Sequence, residues 1–431
     1  MVWTGEQPQE APDASARGAP PRSQIPHSDS YGLSLVLALL LSCAATLPAQ
    51  AAWQFDIQAR SGRRAYRVPN GSAFGQDTPV LGDDGTIVQK LIYDGSTGLA
   101  GFWIARPGHD DLIYTVPDGS VPSDAFLSRA GRLIFEVLDF GFFSHGLWSL
   151  DLATEQVTEL TPQSYEHFYA APAEWNGRLG YTLKQSPDGQ AVIREENGRA
   201  ETLLSNVVMD AESPYSWLFA AAFASDGAVA LKVRYGKAGE LEERRPDAIL
   251  LRTPEGSWSV AVADADLDAN SALSSLDNSV TLLSGGRLVF SGADRRGRRG
   301  VFTWSRADGI GIIALTQLSP DLSALPYFYP AANEAGTIVF RGLDSDSKEA
   351  LYRVQRGRLS KFLVQGQAVK SDLGPAEVRA FYNGVTLASD GRVGFKALLY
   401  SASDGSDEYG LGVFTAHETE ESSAARAPVA R

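Results

Sequence analysis

Short apolar runs, each opened by a glycine turn, recur along most of the chain: DDGTIVQKLIY (83–93), RAGRLIFEVLD (129–139), WNGRLGYTLKQ (175–185), SDGAVALKVRY (225–235), SGGRLVFSGAD (284–294), NEAGTIVFRGL (333–343) and SDGRVGFKALL (389–399). The turn glycines Gly85, Gly131, Gly177, Gly227, Gly286, Gly336 and Gly391 are 46, 46, 50, 59, 50 and 55 residues apart. That spacing suits β-propeller blades and exceeds most solenoid repeats. After a polar loop comes a second apolar strand, as in GFWIAR (101–106), GLWSLD (146–151) and GVFTW (300–304), and usually a third, as in LIYTV (112–116) and KFLVQ (361–365). Together with the strand before each glycine, such as LFAAAFA (218–224), each unit reads as four antiparallel strands, A to D. No window outside residues 33–45 sustains a helical period, so helix content is expected to be near nil.

The seventh unit ends at strand C with Phe414. The unpaired segment Trp53 to Ile57, or Ala65 to Val68, is its natural fourth strand and would close the ring and protect its edges. The expected fold is therefore all-β, a seven-bladed β-propeller over 52–416 closed by the N-terminal strand. A stack of β-sandwiches shares the turn chemistry but not the regular period.

Outside the repeats, Leu33 to Ala45 is an apolar run too short to span a bilayer comfortably, and Ala49-Gln50-Ala51 offers small residues to a signal peptidase. Residues 1–51 read as an N-terminal extension and signal peptide, giving a secreted or periplasmic protein without a membrane span. A lipoprotein signal at Leu40-Leu41-Ser42-Cys43, with Cys43 acylated, ranks second because Leu is unusual beside the small residue. The polar, Ala-rich 417–431 reads as a disordered tail.

Composition narrows the function. The chain of 431 residues is 44% hydrophobic and 21% charged, which excludes a disordered protein. A net charge of −14 argues against nonspecific binding to nucleic acid or anionic membranes. The single cysteine excludes a disulfide framework and any zinc site of several thiolates. Gly-x-Ser-x-Gly, phosphate-loop and His-Glu-x-x-His motifs are all missing, removing the usual hydrolase, nucleotide and metalloprotease readings.

In a propeller the D-to-A and B-to-C loops share one face, so residues entering strand A and leaving strand B meet there. Entering strand A stand His167, Tyr215, Asn278, Tyr327 and Tyr329; at or after the end of strand B stand His145, Arg234 and the clusters Arg244-Arg245 and Arg295-Arg296-Gly297-Arg298-Arg299. His145 and His167 fall on adjacent blades, although a lone histidine is more often a packed or solvated loop residue. Tyr215 is a proton-transfer candidate set against simple wedge packing between blades. Lys232, Arg234 and Asn278 can surround an anion, Arg being suited to a carboxylate, with a surface salt bridge to Glu240, Glu242 or Glu243 as the plainer alternative. Lys232, Arg245, Asn278 and Tyr329 are the candidate substrate-binding residues. The arginine clusters would focus a positive field on an otherwise acidic protein, unless they only solubilise a loop. Asp264, Asp266, Asp268 and Asn270 are spaced like part of a calcium loop, yet lack the central Gly and distal Glu, so a solvated loop is preferred. The expectation is of no required cofactor, with room for a structural divalent cation.

The turns NEAGTIVFRG and SDGRVGFKALL with YGLGVFTA are similar to the tandem Asn-x-x-Gly-x-x-Ala-Phe repeats of secreted bacterial proteins. The stretches LKVRYG, RPDAILL and ADADLDANSALSSLDNSVTLLSGGRLVFSG, with His145 and His167, resemble the secreted seven-bladed ulvan lyases, best over blades two to five. That resemblance implies a polysaccharide lyase cleaving a uronic-acid polymer by β-elimination. By position it implies His145 and Tyr215 as the proton-transfer pair, Arg234 as neutraliser of the uronate, His167 in support and Asn278 as a further contact. The implied partner is an anionic polysaccharide bound by a monomer. A noncatalytic carbohydrate- or protein-binding scaffold is the alternative, since fold does not fix function.

Overall fold

The computed structural model describes residues 52–419, apart from 63, 93–99, 140, 142, 165 and 238–245. The proposed signal peptide, Cys43, Arg244 and Arg245 lie outside the described residues. Seven antiparallel sheets follow one another along the chain, and the one helical element described is the 3-10 turn Ser284–Gly286. The fold is a seven-bladed β-propeller.

Each repeat glycine closes the A-to-B turn with φ in the left-handed region, as at Gly131 (φ 76) and Gly391 (φ 92), where a side chain would be strained. The amide of Gly131 donates to the carbonyl of Ser128, and that of Gly391 to Ala388. Blade 2 shows the plan, with strands Ser120–Leu127, Arg132–Asp139, Ser144–Asp151 and Val157–Glu159 in order A to D.

The ring closes in blade 7, where Trp53–Arg60 pairs antiparallel with Glu408–Glu418, Phe55 facing Ala416 and Ile57 facing Phe414. The last strand thus reaches Glu418 rather than stopping at 416, and Thr419 donates to the carbonyl of Ala52. A short hairpin strand, Ala368–Ser371, not anticipated from the sequence, adds to the inner side of this blade. Its tip residue Asp372 accepts from Nε and Nη2 of the buried Arg60, each at 2.9 Å, and so pins the end of the closing strand.

The core is divided among the blade interfaces. Seven apolar clusters each combine neighbouring blades, for example Val88, Phe102 and Ile104 of blade 1 with Leu133, Phe135 and Val137 of blade 2, or Val192 of blade 3 with Leu218, Val229 and Leu231 of blade 4. Apolar side chains mainly of strands B and C, joined by some of strands A and D, form this packing.

One polar position recurs in every strand B. Five residues after the turn glycine stand Lys90, Glu136, Thr182, Lys232, Ser291, Arg341 and Lys396. Five of these reach strand A, or the segment entering it, in the next blade: Glu136 accepts from Tyr169 N–H, Thr182 from Ala221 N–H, and Lys232, Arg341 and Lys396 donate to the carbonyls of Leu276, Asn383 and Asp77. Buried backbone groups that strand A cannot satisfy within its own sheet are met in this way.

Candidate functional site

Lys232 and Arg234 stand two apart on strand B of blade 4, Val229–Tyr235, and so share a face. Both converge on Asp247, the first residue of strand C, Asp247–Arg252. Arg234 grips it through Nε at 2.8 Å and Nη2 at 3.1 Å, and Lys232 Nζ lies 2.7 Å from its Oδ2. The Phe219 ring lies against both cations, 4.5 Å from Lys232 Nζ and 5.7 Å from Arg234 Cζ.

The two cations differ in what they offer a ligand. Lys232, 3% exposed, spends its ammonium on Asp247, the Leu276 carbonyl at 2.8 Å and Asn278 Oδ1 at 3.2 Å. Burial lowers its pKa, and the bond from Asp247 opposes that shift. Lys232 therefore holds Asn278 and Asp247 in place rather than presenting charge to solvent. The Arg234 side chain is 33% exposed, and its Nη1 has no partner among the described residues, so one edge of the guanidinium stays open.

Asp264 organises this cluster from behind. Its Oδ2 accepts the Asp247 N–H at 2.9 Å, and its Oδ1 accepts from the amides of Asp266 and Leu267. The stretch resembling a calcium loop is thus a backbone-capping loop. Among the described residues no group of three or more His, Cys, Asp or Glu could hold a metal ion.

Tyr215 opens strand A of blade 4 and pairs with Tyr235, the two rings edge to face at 5.1 Å. Its pKa is pushed up to about 12, first by burial, then by the charge of Tyr235 and a hydrogen bond with it. The phenol keeps its proton throughout the neutral range. Such a group gives a proton more readily than it takes one.

Blades 2 and 3 carry the histidines. His145 is the second residue of strand C of blade 2, and His167 the first of strand A of blade 3, His167–Trp175. Both are half-buried, and neither imidazole has a hydrogen-bond partner among the described residues. Between the two segments lies Glu136, 4% exposed, bonded to the side chain of Ser144 and accepting from Tyr169 N–H at 2.9 Å. Burial raises its pKa to about 7 against the opposing pull of those two bonds and of Lys184. Sequence reasoning missed Glu136; the acid inside the apolar strand RLIFEVLD, at the repeat's polar position, is the signal that marks it.

Asn278 and Tyr329 meet in a cavity of about 300 Å³ at the junction of blades 5 and 6, which also takes in Asp277, Arg299 and Tyr327. Arg299 bonds Asp277 at 2.5 Å and the Leu325 carbonyl at 2.9 Å, and its Cζ lies 4.0 Å from the centre of the Tyr327 ring. The neighbouring arginines are partly committed to their own loop, Arg298 to Asp294 and Arg295 to the carbonyls of Ser271 and Ala269.

The structure thus links Arg234, Lys232, Asn278 and Tyr329 through bonds and one cavity, whereas the Tyr215 ring packs with Tyr235 on the opposite face of the blade 4 sheet, against the core shared with blade 3. His145 and His167 form a second group around Glu136. His145, His167 and Tyr215 stand at the start of their strands and Arg234 near the end of its strand, on the face of the D-to-A and B-to-C loops, whereas Lys232, Glu136 and Asn278 lie within strands. Among the described residues, no hydrogen bond or ion pair joins the histidines to the blade 4 cluster.

No protein-family model matches the chain, and no curated protein sequence does. Solved structures do match. An oligogalacturonate lyase in complex with manganese superposes with a TM-score of 0.55 at 13% identity, covering 87% of this chain and 99% of that one. The likeness is one of fold. The β-propeller domain of the Trilobed protease from Pyrococcus furiosus, described as having an open velcro topology, gives a TM-score of 0.52 at 9% identity, covering 80% of this chain and 95% of that one. Here the corresponding closure is made by the Trp53–Arg60 strand. A prolyl endopeptidase gives a TM-score of 0.50 at 12% identity, covering 78% of this chain and 49% of that one.

Proposed function

We propose that the protein is a secreted polysaccharide lyase that cleaves a uronic-acid-containing, ulvan-like polymer by β-elimination. The observation that carries this reading is the open edge of the Arg234 guanidinium, held by Asp247 near the end of strand B of blade 4. The oligogalacturonate lyase of like fold supports the reaction class.

In the proposed reaction Arg234 Nη1 binds the uronate carboxylate, which otherwise repels the negative charge developing at C5. His145 removes the C5 proton. The electron pair left at C5 forms the C4–C5 double bond as the C4–O bond breaks, and Tyr215 gives its proton to the departing oxygen, which becomes the hydroxyl of a new reducing end. His145 then returns its proton to Tyr215 through water, restoring both groups. His167 supports the sugar from blade 3, and Asn278 contacts the adjoining residue.

Incubating the pure protein with ulvan and a panel of other polyuronates, while following the ultraviolet absorbance of unsaturated uronate ends, tests the reaction. A steady rise on at least one polymer is expected. A flat trace across the panel rejects the lyase and favours a noncatalytic propeller.

A further inference from the structure

The cavity between blades 5 and 6 has a feature that uronate binding does not explain. Tyr327 is 81% exposed, yet its ring is not left to swing. Arg299 lies over one face at 4.0 Å, and Arg299 is itself fixed by Asp277 and the Leu325 carbonyl. The other face of the ring is open to solvent. A large aromatic held outward by a buttressed cation gains little for the fold, because its apolar surface stays wet.

The rest of the lining is polar but electrically balanced. Arg299 and Asp277 neutralise each other, while Asn278 and Ser279 contribute neutral hydrogen-bonding groups. At about 300 Å³ the cavity lies at the lower end of the usual range for small-ligand pockets. A flat aromatic platform beside amide, hydroxyl and carboxylate groups matches one ligand chemistry well: a pyranose ring, with a C–H face to lay on the aromatic and hydroxyls at its edge. The cavity is joined to the uronate-binding arginine through Asn278, Lys232 and Asp247.

We propose that this cavity is a sugar-binding subsite in which one pyranose stacks on the open face of Tyr327 and is read through its hydroxyls, not through a charge. The proposal rests on the reading above that the ligand is a polysaccharide, and adds that recognition extends to a sugar next to the uronate. Long chains then engage both Arg234 and Tyr327, whereas a fragment too short to reach blade 6 engages Arg234 alone.

The test compares wild type, Tyr327→Ala, Tyr327→Phe and Arg234→Ala in gels containing ulvan or another polyuronate, at low and high salt, alongside elimination rates on polymer and on short oligosaccharides. Tyr327→Ala is expected to weaken polymer binding about five- to ten-fold, the scale of one lost stacking contact. That loss should persist at high salt, and Tyr327→Phe should bind like wild type. The loss from Arg234→Ala should shrink with salt, because it is Coulombic. On polymer, Tyr327→Ala should raise KM with kcat unchanged, and on the shortest fragments it should change neither. Polymer binding unaltered by Tyr327→Ala, a loss that vanishes with salt, or wild type unretarded by every polysaccharide overturns the subsite. Tyr327-dependent retardation without any elimination by wild type leaves the subsite standing and rejects the lyase.

Discussion

Blades 2 and 3 and blades 4 to 6 turn the same kind of strand ends toward one face, but they treat ionisable groups in opposite ways. On blades 4 to 6 each main cation has a carboxylate and an aromatic ring: Arg234 with Asp247 and Phe219, Arg299 with Asp277 and Tyr327, Arg341 with Glu349 and Phe328. On blades 2 and 3 the imidazoles of His145 and His167 lack such partners among the described residues, and the buried Glu136 titrates near 7. Groups locked in ion pairs are held in position, which suits anchoring. A carboxyl whose proton is gained and lost near neutral pH, beside imidazoles left without partners among the described residues, suits proton transfer. Tyr215 stands at the edge of the anchoring half, its phenol hydrogen-bonded to Tyr235.

The largest expected effect separates the halves by kinetics. His145→Ala should lower kcat by about 10²–10⁴, the usual contribution of a general base, with polymer affinity changed little. Equal loss of binding and rate would assign His145 to anchoring and break the contrast. Next is Asp247→Asn, which leaves the buried Lys232 ammonium without its counter-ion and should destabilise the fold by about 3–5 kcal/mol in chemical denaturation. A variant as stable as wild type would mean that the anchoring half is not held by its ion pairs.

Glu136→Gln sharpens the comparison through pH. Burial lifts the Glu136 carboxyl from its ordinary 4.5 to about 7 in the folded chain, so between those values the folded chain retains a proton that the unfolded chain has lost. Stability from this group is full below the lower value, falls as pH rises through that window, and stays low above it. The glutamine keeps an acceptor for Tyr169 N–H without the charge. It should raise stability by about 2 kcal/mol near pH 8 and leave it nearly unchanged near pH 4. The smallest effect is expected from the exposed Arg296: Arg296→Ala should shift stability by less than about 0.5 kcal/mol and hardly change polymer affinity. A large loss of affinity there would restore the field of the whole cluster as the attracting element.

The architecture was legible because its determinants are local and repeated. The glycine of each A-to-B turn and the apolar alternation beside it mark every blade, and the missing fourth strand of the last unit pointed to Trp53–Ile57 or Ala65–Val68, of which the first, extended to Arg60, makes the closure. The site was legible only in part. Strand ends can be assigned to a face from the repeat, which made Tyr215, Arg234 and Asn278 candidates, but the partners that set their surroundings come from elsewhere in the chain. Lys232 looked like a surface cation and is buried against Asp247, which is fifteen positions further on and follows a long loop. The acidic run from Asp264 read as a solvated loop with only a partial calcium-loop spacing, and its capping role was hidden because the spacing of carboxylates does not reveal which amides they cap. Glu136 was overlooked because a single acid in an apolar strand is informative only when the seven repeats are aligned on their glycines.

The division between anchoring and proton transfer is tested most directly at Tyr215, by measuring polymer binding calorimetrically and elimination by ultraviolet absorbance on the same preparation of Tyr215→Phe. The substitution removes one hydroxyl from a half-buried ring and leaves its packing on Tyr235 in place. The expected result is wild-type affinity with elimination reduced at least about a hundred-fold. Undiminished turnover by Tyr215→Phe would contradict the proton-transfer role and, with it, the proposed chemistry of this face.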